Sequence, residues 1–569
     1  MSVILGINKD HSDSSACILI NGQLIGAISE ERLGKRIKHD SSFPSNSIKW
    51  LIKTAGIKYS DINFIALSNS STSNLKQKII HSMDFSTINL IKKFKNKLFS
   101  KSSVEQEIIK LCEDNGEIKS NLKYKIYKIE HHLTHIASAY YLSEFEDTTA
   151  AFSYDGSGDA VSIMLAECKD TSIKVLERVY LPKSLGHFYS AVCNFIGFEK
   201  FGEEYKVMGL SAYGDDKYSN YFNDLIGYDE KLIVRQKDIF DYNSINFSKT
   251  NTIKFNNKIF LDKKVEKFSQ ESKDIAKSLQ STFEKIVMQI INRLQRKVPT
   301  SNLVMAGGCA MNGLVNGKIF KESKFKNHFI QPASTDDGTA LGAAYYCWHN
   351  HLKKKERFIM RHAFWGPSYD DNEILNSIKN KKLKYRKFKT DDELVKFAAE
   401  LISKSNVVGW YQGRSEWGAR ALGNRSILAN PANKNMKDII NSKIKKRESF
   451  RPFAPSVLED DVSKFFECEI KSDFMNHIVK FKDEFTTIFP SVCHVDKTAR
   501  LQTVSKKYNP LYYKLIEKLK KITGYGIILN TSFNENEPIV DTPLQAINCF
   551  LRTDMDILFL GKFMVSKNI

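Results

Sequence analysis

The stretch VILGINKDHSDSSACILINGQLIGAISEE, residues 3–31, passes from an apolar strand through a polar turn into two more apolar segments. These segments meet at Asn21-Gly22, a strong hairpin signal between apolar strands because both residues accept a positive φ. Residues 149–181, TAAFSYDGSGDAVSIMLAECKDTSIKVLERVYL, repeat the order of strand, Asp/Ser/Gly turn and hairpin. The repetition predicts two related sub-domains, each opening with a hairpin whose turn faces a common cleft.

Later segments extend this pattern. In NLVMAGGCAMNGLVNGKIF, residues 302–320, a strand meets Gly307-Gly308 and a helix follows. Glycine at that point lets backbone N–H groups approach a phosphate, which the N-terminus of a helix also favours electrostatically. After about residue 370 a new series of helices and strands begins, so we expect an α/β protein with domains at 1–370 and 371–569.

The composition is typical of a soluble globular protein, with 42% hydrophobic and 26% charged residues over 569 positions. No apolar run approaches the ~20 residues that span a bilayer, and the start of the chain lacks the pattern of a signal peptide. We therefore expect a cytoplasmic protein without a membrane partner. The nine scattered cysteines contain no C-x-x-C pair, which argues against a disulfide framework or a thiolate zinc site.

The net charge of +20 would suit an anionic partner. However, the excess is mostly Lys, without interleaved Arg or a recognisable nucleic-acid-binding module. A chain rich in Lys, Ile and Asn carries such an excess as a matter of general composition. We therefore expect no nucleic-acid partner.

Histidines cluster in IEHHLTHIASAYYLSEF, which reads as a helix. His131 and His135 are four residues apart, so one face of that helix presents both imidazoles to a single metal ion. Acidic turns at Asp155 and Asp336 offer oxygen ligands, and a set of two His and two Asp suits Fe²⁺, Mn²⁺ or Zn²⁺ better than Ca²⁺. The alternative is an incidental histidine pair, with the two carboxylates serving as turn or helix-cap residues.

Arginines concentrate in the C-terminal half. The chain has 16 Arg against 69 Lys, yet five of the Arg lie between residues 414 and 451, three of them in GRSEWGARALGNRSILANP. The planar guanidinium binds two oxygens of a phosphate or carboxylate at once, whereas a Lys ammonium acts as a point charge. The clustering therefore indicates an anion-binding site. The alternative is a network of Arg with Glu416 and Glu448 that braces loops.

Taken together, these segments resemble the nodulation-protein-U and antibiotic O-carbamoyltransferase family, nearly from end to end. Eight motifs match in the family's order: HHLTHIASAYY, YDGSGD, YKVMGLSAYG, AGGCAMN, DDGTALGAA, GRSEWGARALGNRSILANP, RESFRPFAP and LNTSFNENEPIV. One departure is Ala419, where the family usually has Pro. That change removes no reacting group.

The resemblance implies a fold and a reaction. The expected fold is a duplicated actin-like (ASKHA) N-terminal domain followed by a YrdC-like α/β domain. The YrdC-like domain would bind carbamoyl phosphate and release carbamate. Carbamate would attack the α-phosphorus of ATP to give carbamoyl adenylate, whose carbamoyl group would pass to an acceptor hydroxyl and leave AMP.

The resemblance also implies the roles of individual residues. The implied catalytic residues are His11, Lys38, Arg420 and Arg447, and the implied contacts to carbamoyl phosphate are Arg414, Arg420, Arg425, Lys445, Arg447, Asn530 and Ser532. The implied contacts to the nucleotide are Lys206, Gly307, Gly308 and Asn312. The implied metal ligands are His131, His135, Asp155 and Asp336. The expected cofactors are a divalent metal, with Fe²⁺ first and Mn²⁺ or Zn²⁺ as alternatives, and ATP with Mg²⁺ as co-substrate. A homodimer is possible.

Two other functions remain open. The same two domain types occur in machinery that transfers threonylcarbamoyl groups to tRNA, which the basic charge would suit. A non-catalytic nucleotide-binding regulator of the actin-like fold is the second alternative. The residues of the motifs GRSEWGARALGNRS and RESFRPFAP favour carbamoylation of a small molecule.

Overall fold

The computed structural model describes residues 1–83, 103–228, 234–236 and 265–567. The chain forms two compact units. The first contains residues 1–25 and 41–359, and the second contains residues 26–40 and 360–569. The short segment 26–40 therefore belongs to a different unit from the residues on either side of it.

Twelve described strands precede residue 360, numbered here in chain order. They are β1 Val3–Asn8, β2 Ser15–Ile20, β3 Gln23–Ser29, β4 Phe64–Leu67, β5 Lys125–Lys128, β6 Thr149–Gly158, β7 Val161–Lys169, β8 Ser172–Tyr180, β9 Ile226–Tyr228, β10 Val234–Gln236, β11 Asn302–Ala306 and β12 Asn327–Ile330. Strands β9 and β10 form a separate antiparallel pair.

Two five-stranded sheets share one topology, as the repeated sequence pattern predicts. Their strand orders are β3-β2-β1-β4-β5 and β8-β7-β6-β11-β12. In each sheet the first strand of the repeat pairs antiparallel with the second and parallel with the strand on its other side. The predicted hairpin turn at Asn21-Gly22 is confirmed, with φ of 49° and 80° at the two residues.

Helices flank these sheets in the first unit. They are Ser45–Ala55, Leu75–Met83, Val104–Asp114, His131–Tyr140, Leu185–Phe195, Glu204–Leu210, Ser219–Leu225, Gln270–Lys297, Gly313–Glu322 and Thr339–Tyr346. The helix His131–Tyr140, called the histidine helix below, is buried along its whole length. Its closest neighbour, Thr339–Tyr346, is rich in small residues, which lets the two backbones approach each other.

The second unit is built on a nine-stranded mixed sheet. Its strands are β13 Tyr385–Lys387, β14 Val408–Tyr411, β15 Arg425–Ala429, β16 Ala454–Leu458, β17 His477–Lys480, β18 Thr498–Val504, β19 Ile527–Ser532, β20 Ile557–Leu560 and β21 Phe563–Ser566. Their order is β13-β21-β20-β14-β15-β19-β16-β18-β17. The central strands, such as Val408–Tyr411, are fully buried and nearly continuous in apolar residues, as expected for strands covered on both faces.

The helices of the second unit are Glu30–Leu33, Asp371–Asn380, Asp391–Ser403, Met436–Ile439, Val462–Phe465, Asp483–Thr486, Pro510–Thr523 and Pro543–Arg552. Apolar faces of Asp391–Ser403 and Pro510–Thr523 pack together over Trp410, Ile528 and Phe559 to form the main core. Both helices start with a side-chain cap, from Thr390 and Asn509, which satisfies backbone N–H groups at the exposed ends.

None of the described helices is long and apolar enough to cross a membrane. All nine cysteines are free thiols, as predicted.

Candidate functional site

The histidine helix begins where several polar groups fix its first turn. The carboxylate of Asp159 accepts the backbone N–H of His131 and that of Ser70, both at 2.9 Å. Lys78 donates to the same carboxylate at 2.7 Å. Gly158 lies against the imidazole of His131, and a Cβ there would overlap the ring. The turn that ends β6 therefore sets the position of His131.

The four predicted metal ligands converge. Nε2 of His131 and Nε2 of His135 are 3.0 Å apart. The carboxylate of Asp336 lies 3.3 Å from the first and 3.6 Å from the second, and Asp155 lies 3.2 Å from His135. One donor atom from each of the four side chains lies within 4.8 Å of the others. Both histidines are fully buried.

Electrostatics hold this cluster together. Burial alone would lower the pKa of His135, but hydrogen bonds to Asp155 and Asp336 outweigh it and raise the pKa to about 9. Burial would likewise raise the pKa of Asp336, but the neighbouring charge of His131 brings it well below its usual range. These interactions favour the protonated form of His135 and the ionised form of Asp336, and a metal ion at this position would compete with the proton.

The residues fit a divalent cation. Two imidazole nitrogens and two carboxylates are the donor set of Fe²⁺, Mn²⁺ and Zn²⁺ sites. Among the described residues, Nδ1 of His131 and Nδ1 of His135 have no hydrogen-bond partner, although both atoms are buried. Each ring therefore makes its polar contacts through Nε2, at the point where the four side chains meet. An ion would bind at that point.

His11 lies at the edge of this cluster, in the turn between β1 and β2. Its ring centroid is 5.2 Å from that of His131. Burial lowers the pKa of His11, and the charge of His131 lowers it further. The turn of the first repeat, which carries His11, and the end of β6 in the second, which carries Asp155, thus approach the same histidine pair.

The predicted nucleotide turn adjoins the metal ligands. Gly307 has a φ of +99°, which favours glycine, and a Cβ there would overlap the backbone of Tyr154. The N–H of Gly308 donates at 3.1 Å to the Asp155 oxygen that also faces His135. The carboxylate of Asp155 therefore links the glycine turn to the cluster of two histidines and two aspartates.

Asn312 caps the helix that follows this turn, accepting the N–H of Val315 at 3.2 Å. Its amide also pairs with the amide of Gln280, at 3.0 and 3.2 Å. Gln280 in turn accepts a hydrogen bond from Tyr189 at 2.9 Å. Sequence reasoning missed Gln280, because a lone polar residue within the long helix Gln270–Lys297 gives no signal of its neighbours.

Lys206, the remaining predicted nucleotide contact, forms an ion pair with Glu203 at 2.6 Å. It lies on the helix Glu204–Leu210. The structure therefore brings the four predicted metal ligands together with the glycine turn, and it places Lys206 in contact with Glu203.

In the second unit, a loop between β14 and β15 carries Arg420. Glu416 is fully buried at the start of this loop, and one of its oxygens accepts the N–H groups of Leu422, Asn424 and Arg425 at 2.8–3.1 Å. Three backbone donors on one carboxylate fix the loop in a closed shape. Glu416 therefore braces backbone and forms no ion pair with Arg among the described residues.

The end of β19 connects the Arg420 loop to a second group of cations. Asn530 donates to the carbonyl of Ala421 at 3.1 Å. Ser532 follows two residues later on the same side of the strand. The ammonium of Lys445 donates to the carbonyl of Ser532 at 2.5 Å. Lys445 also donates to the carbonyl and side chain of Asn534 at 2.8 and 2.7 Å. These contacts use all three ammonium protons.

Positive charges surround Lys445. Burial lowers its pKa well below the usual range, and the charges of Arg447, Arg451 and Lys38 lower it further. Arg451 is partly balanced by Glu448 at 3.6 Å. Lys38 belongs to the segment 26–40, which Arg36 ties to the carbonyls of Pro538 and Ile539 at 2.6 and 3.3 Å. Several basic side chains therefore lie around Lys445.

Arg425, predicted to bind the donor, acts instead as a structural brace. It is fully buried, lies 3.7 Å over the ring of Tyr411, and each of its five N–H donors has a backbone carbonyl at 2.7–3.3 Å. The accepting carbonyls are those of Pro367, Gln412, Gly413, Asn424 and Asp541. No donor remains for a substrate, so this geometry does not support the predicted contact.

Arg414 is engaged in a similar way. Its Nε and Nη2 donate to the carbonyls of Gly366 and Trp365 at 2.8 and 2.7 Å. Two of the four arginines predicted to bind the donor therefore organise loops, as the bracing alternative anticipated. Their partners are carbonyl groups rather than Glu416 or Glu448. Arg420 and Arg447 are the two predicted catalytic arginines that remain.

Comparison with known proteins identifies both parts of the chain. Residues 3–345 match the family model described as Carbamoyltransferase N-terminus, and residues 399–567 match Carbamoyltransferase C-terminus. The chain is 35% identical to nodulation protein NolNO of Sinorhizobium fredii, over 98% of this chain and 79% of that protein. It is 30% identical to 3'-hydroxymethylcephem-O-carbamoyltransferase of Streptomyces clavuligerus, over 42% of this chain and 44% of that enzyme.

Solved structures give weaker likenesses. Component A of the (R)-2-hydroxyglutaryl-CoA dehydratase of Acidaminococcus fermentans aligns with 61% of this chain and 97% of its own, at 13% identity and a TM-score of 0.32. The family models, which cover both units, confirm the resemblance found in the motifs: the protein belongs to the carbamoyltransferase family and is a carbamoyltransferase.

Proposed function

We propose that this carbamoyltransferase moves the carbamoyl group of carbamoyl phosphate to a hydroxyl group of a small-molecule or sugar acceptor, with ATP as co-substrate. The observation that carries the proposal is the division of chemistry between the units. A cluster of two His and two Asp adjoins a glycine turn in the first unit. A group of cations surrounds the end of a strand in the second. The named relative that O-carbamoylates a cephem supports transfer to oxygen.

Three steps account for the reaction. Hydrolysis of carbamoyl phosphate gives phosphate and carbamate. A carbamate oxygen then attacks the α-phosphorus of ATP, so that the bond to pyrophosphate breaks and carbamoyl adenylate forms. Finally the acceptor hydroxyl attacks the carbonyl carbon, the bond to AMP breaks, and the hydroxyl proton is taken up by a base. Carbamate is unstable in water, so the enzyme must shield it.

The second unit, in this proposal, is a YrdC-like domain that binds the donor. Arg420 and Arg447 supply forked donors to phosphate oxygens. Lys445 and Lys38 add positive charge. Asn530 contacts the loop that carries Arg420, and Ser532 contacts Lys445, so the end of β19 connects these two groups of basic residues. Removal of the phosphate from water is favourable here because several cations replace its hydration shell.

The first unit, in this proposal, is an actin-like domain that binds ATP and completes the transfer. Gly307, Gly308 and Asn312 present backbone and amide groups to the nucleotide, and Lys206 supplies a further contact to it. His131, His135, Asp155 and Asp336 would hold a divalent metal, which polarises bound oxygen atoms and neutralises phosphate charge. His11, in the adjacent turn, is the residue that we assign to the proton of the acceptor hydroxyl.

Pyrophosphate release tests this proposal without knowledge of the acceptor. We expect the protein to form pyrophosphate from ATP when carbamoyl phosphate and Mg²⁺ are added, and not when carbamoyl phosphate is omitted. Pyrophosphate can be measured with a coupled pyrophosphatase assay. Formation of ADP instead, or no carbamoyl-phosphate-dependent product, would contradict the proposal and favour a nucleotide-binding regulator. Threonine-dependent AMP formation with retention of tRNA would favour the tRNA-modifying alternative.

A further inference from the structure

A polar loop follows β4 in the first unit and lies outside all eight motifs that relate the chain to its family. Residues 68–74, SNSSTSN, carry hydroxyl or amide side chains at every position, and this segment is called the hydroxyl loop below. Strand β4 runs parallel to β1 on one side and to β5 on the other. The hydroxyl loop therefore lies at the carboxyl end of a parallel strand, where ligands bind in open α/β sheets.

Hydrogen bonds attach the hydroxyl loop to the turn that carries His11. Ser68 donates to the side-chain oxygen of Asn8, at 2.9 Å. The side-chain nitrogen of Asn8 donates to the carbonyls of Ser12 and Asp13, at 3.4 and 3.0 Å. These two residues directly follow His11 in the turn. One asparagine therefore holds the start of the hydroxyl loop against that turn.

The hydroxyl loop also meets the start of the histidine helix. The carboxylate of Asp159 accepts the N–H of Ser70 and the N–H of His131, both at 2.9 Å. Lys78 donates to the same carboxylate at 2.7 Å and to the carbonyl of Ser70 at 2.6 Å. The hydroxyl loop and the helix Leu75–Met83 that follows it therefore border the predicted metal ligand His131.

That helix presents apolar side chains to solvent beside these polar groups. Leu75 is 55% exposed and Ile79 is 50% exposed. They are four residues apart on the helix, so they lie on one face, and Leu75 is also three residues before Lys78. The apolar face therefore borders the lysine that reaches Asp159. Exposed apolar surface next to a site is stabilised when a ligand removes it from water.

The acceptor hydroxyl has to reach His11, to which we assign its proton, so the rest of the acceptor must lie on the surface around that turn. We propose that the hydroxyl loop and the face formed by Leu75 and Ile79 bind the acceptor. This inference rests on the proposed function and adds the chemistry of the acceptor, a polyhydroxylated molecule with an apolar group next to the reacting hydroxyl. The loop exchanges hydrogen bonds with the hydroxyl groups, and the helix packs against the apolar group.

Ligand-observed NMR on the intact protein tests this surface with methyl β-D-glucoside and phenyl β-D-glucoside, which differ only in the apolar group. We expect wild type to bind the phenyl glucoside about 10-fold more tightly, because its ring is removed from water over Leu75 and Ile79. Leu75→Ser and Ile79→Ser should each lower the affinity for phenyl glucoside by about 3- to 10-fold. Neither change should alter the affinity for methyl glucoside.

Two further variants separate the polar contacts from the apolar ones. Ser71 is exposed in the hydroxyl loop, and Ser71→Ala should lower the affinity for both glucosides by about 2- to 10-fold, the usual effect of one neutral hydrogen bond. Ile522→Ser is the matched control, because Ile522 is also a helical isoleucine that is 50% exposed, on the helix Pro510–Thr523 of the second unit. It should bind both glucosides as wild type does.

The outcomes distinguish this inference from the proposed function. If wild type forms carbamoyl-phosphate-dependent pyrophosphate but binds both glucosides equally, the acceptor surface is wrong and the proposed function stands. Phenyl glucoside affinities that are unchanged in Leu75→Ser and Ile79→Ser, or equally lowered in Ile522→Ser, would also overturn the surface. If wild type forms no such pyrophosphate, the proposed function is wrong and this inference falls with it. Should Ile79→Ser fail to fold, Leu75→Ser, in the first turn of the helix, decides.

Discussion

Arg420→Ala is expected to reduce carbamoyl-phosphate-dependent turnover by about 100-fold or more while ATP still binds. Arg420 is held by a loop that Glu416 closes through three backbone hydrogen bonds. The backbone that carries Arg420 is therefore held in place, and removal of a preorganised donor in a shielded site costs more than removal of a mobile one. The loss should appear as pyrophosphate formation falling toward the background rate at every concentration of carbamoyl phosphate.

A second variant and two controls define the effect. Arg447→Ala should show the same loss, because Arg447 contributes to the positive charge around Lys445. Arg386→Ala, in an exposed position of the same unit, should leave turnover unchanged. Arg425→Met should instead lower thermal stability, because it leaves five backbone carbonyls without donors. Normal turnover in both Arg420→Ala and Arg447→Ala would eliminate the anion site proposed for the second unit.

His135→Ala is expected to lose bound metal. His135 provides a nitrogen 3.2 Å from Asp155 and 3.0 Å from the nitrogen of His131, so its removal leaves an incomplete donor set. Removal of a residue that only supports a metal ligand lowers metal affinity by up to about 100-fold. Because His135 would itself be a ligand, we expect its removal to lower metal affinity by about 100-fold or more. Elemental analysis of protein purified under identical conditions measures the metal content directly.

The matched control is His351→Ala, an exposed histidine of the same unit that stacks on Tyr127 and lies outside the metal cluster. Its metal content should equal that of wild type. Circular dichroism should show that His135→Ala keeps its secondary structure. Metal content in His135→Ala that matches wild type would contradict the assignment of the ligands.

Much of the fold was accessible from local patterns. The two stretches that open with a strand and an acidic or polar turn do form sheets of the same topology, and the hairpin at Asn21-Gly22 has the backbone that its sequence indicates. The meeting of His131, His135, Asp155 and Asp336 was also predictable, because an i,i+4 histidine pair and two acidic segments after strands are local signals. Their convergence follows from the duplication.

Other features depend on contacts that no local pattern reveals. A linear boundary near residue 370 could not show that residues 26–40 join the second unit, since nothing in that segment's composition differs from its neighbours. Nor could the sequence separate Arg420 from Arg425, which lie in the same motif. Their roles differ because Arg425 begins a buried strand surrounded by carbonyls, whereas Arg420 lies in the loop.

In the proposed reaction, the carbamoyl group of carbamoyl phosphate reaches the acceptor through carbamate and carbamoyl adenylate. Carbamoyl phosphate carrying a heavy-oxygen label in its carbonyl group tests that route, with mass spectrometry of the AMP produced. Because a carbamate oxygen would form the new bond to the α-phosphorus and remain there when the carbonyl carbon is attacked, we predict label in the phosphoryl group of AMP. Continued turnover that yields unlabelled AMP, or yields ADP, would contradict the account.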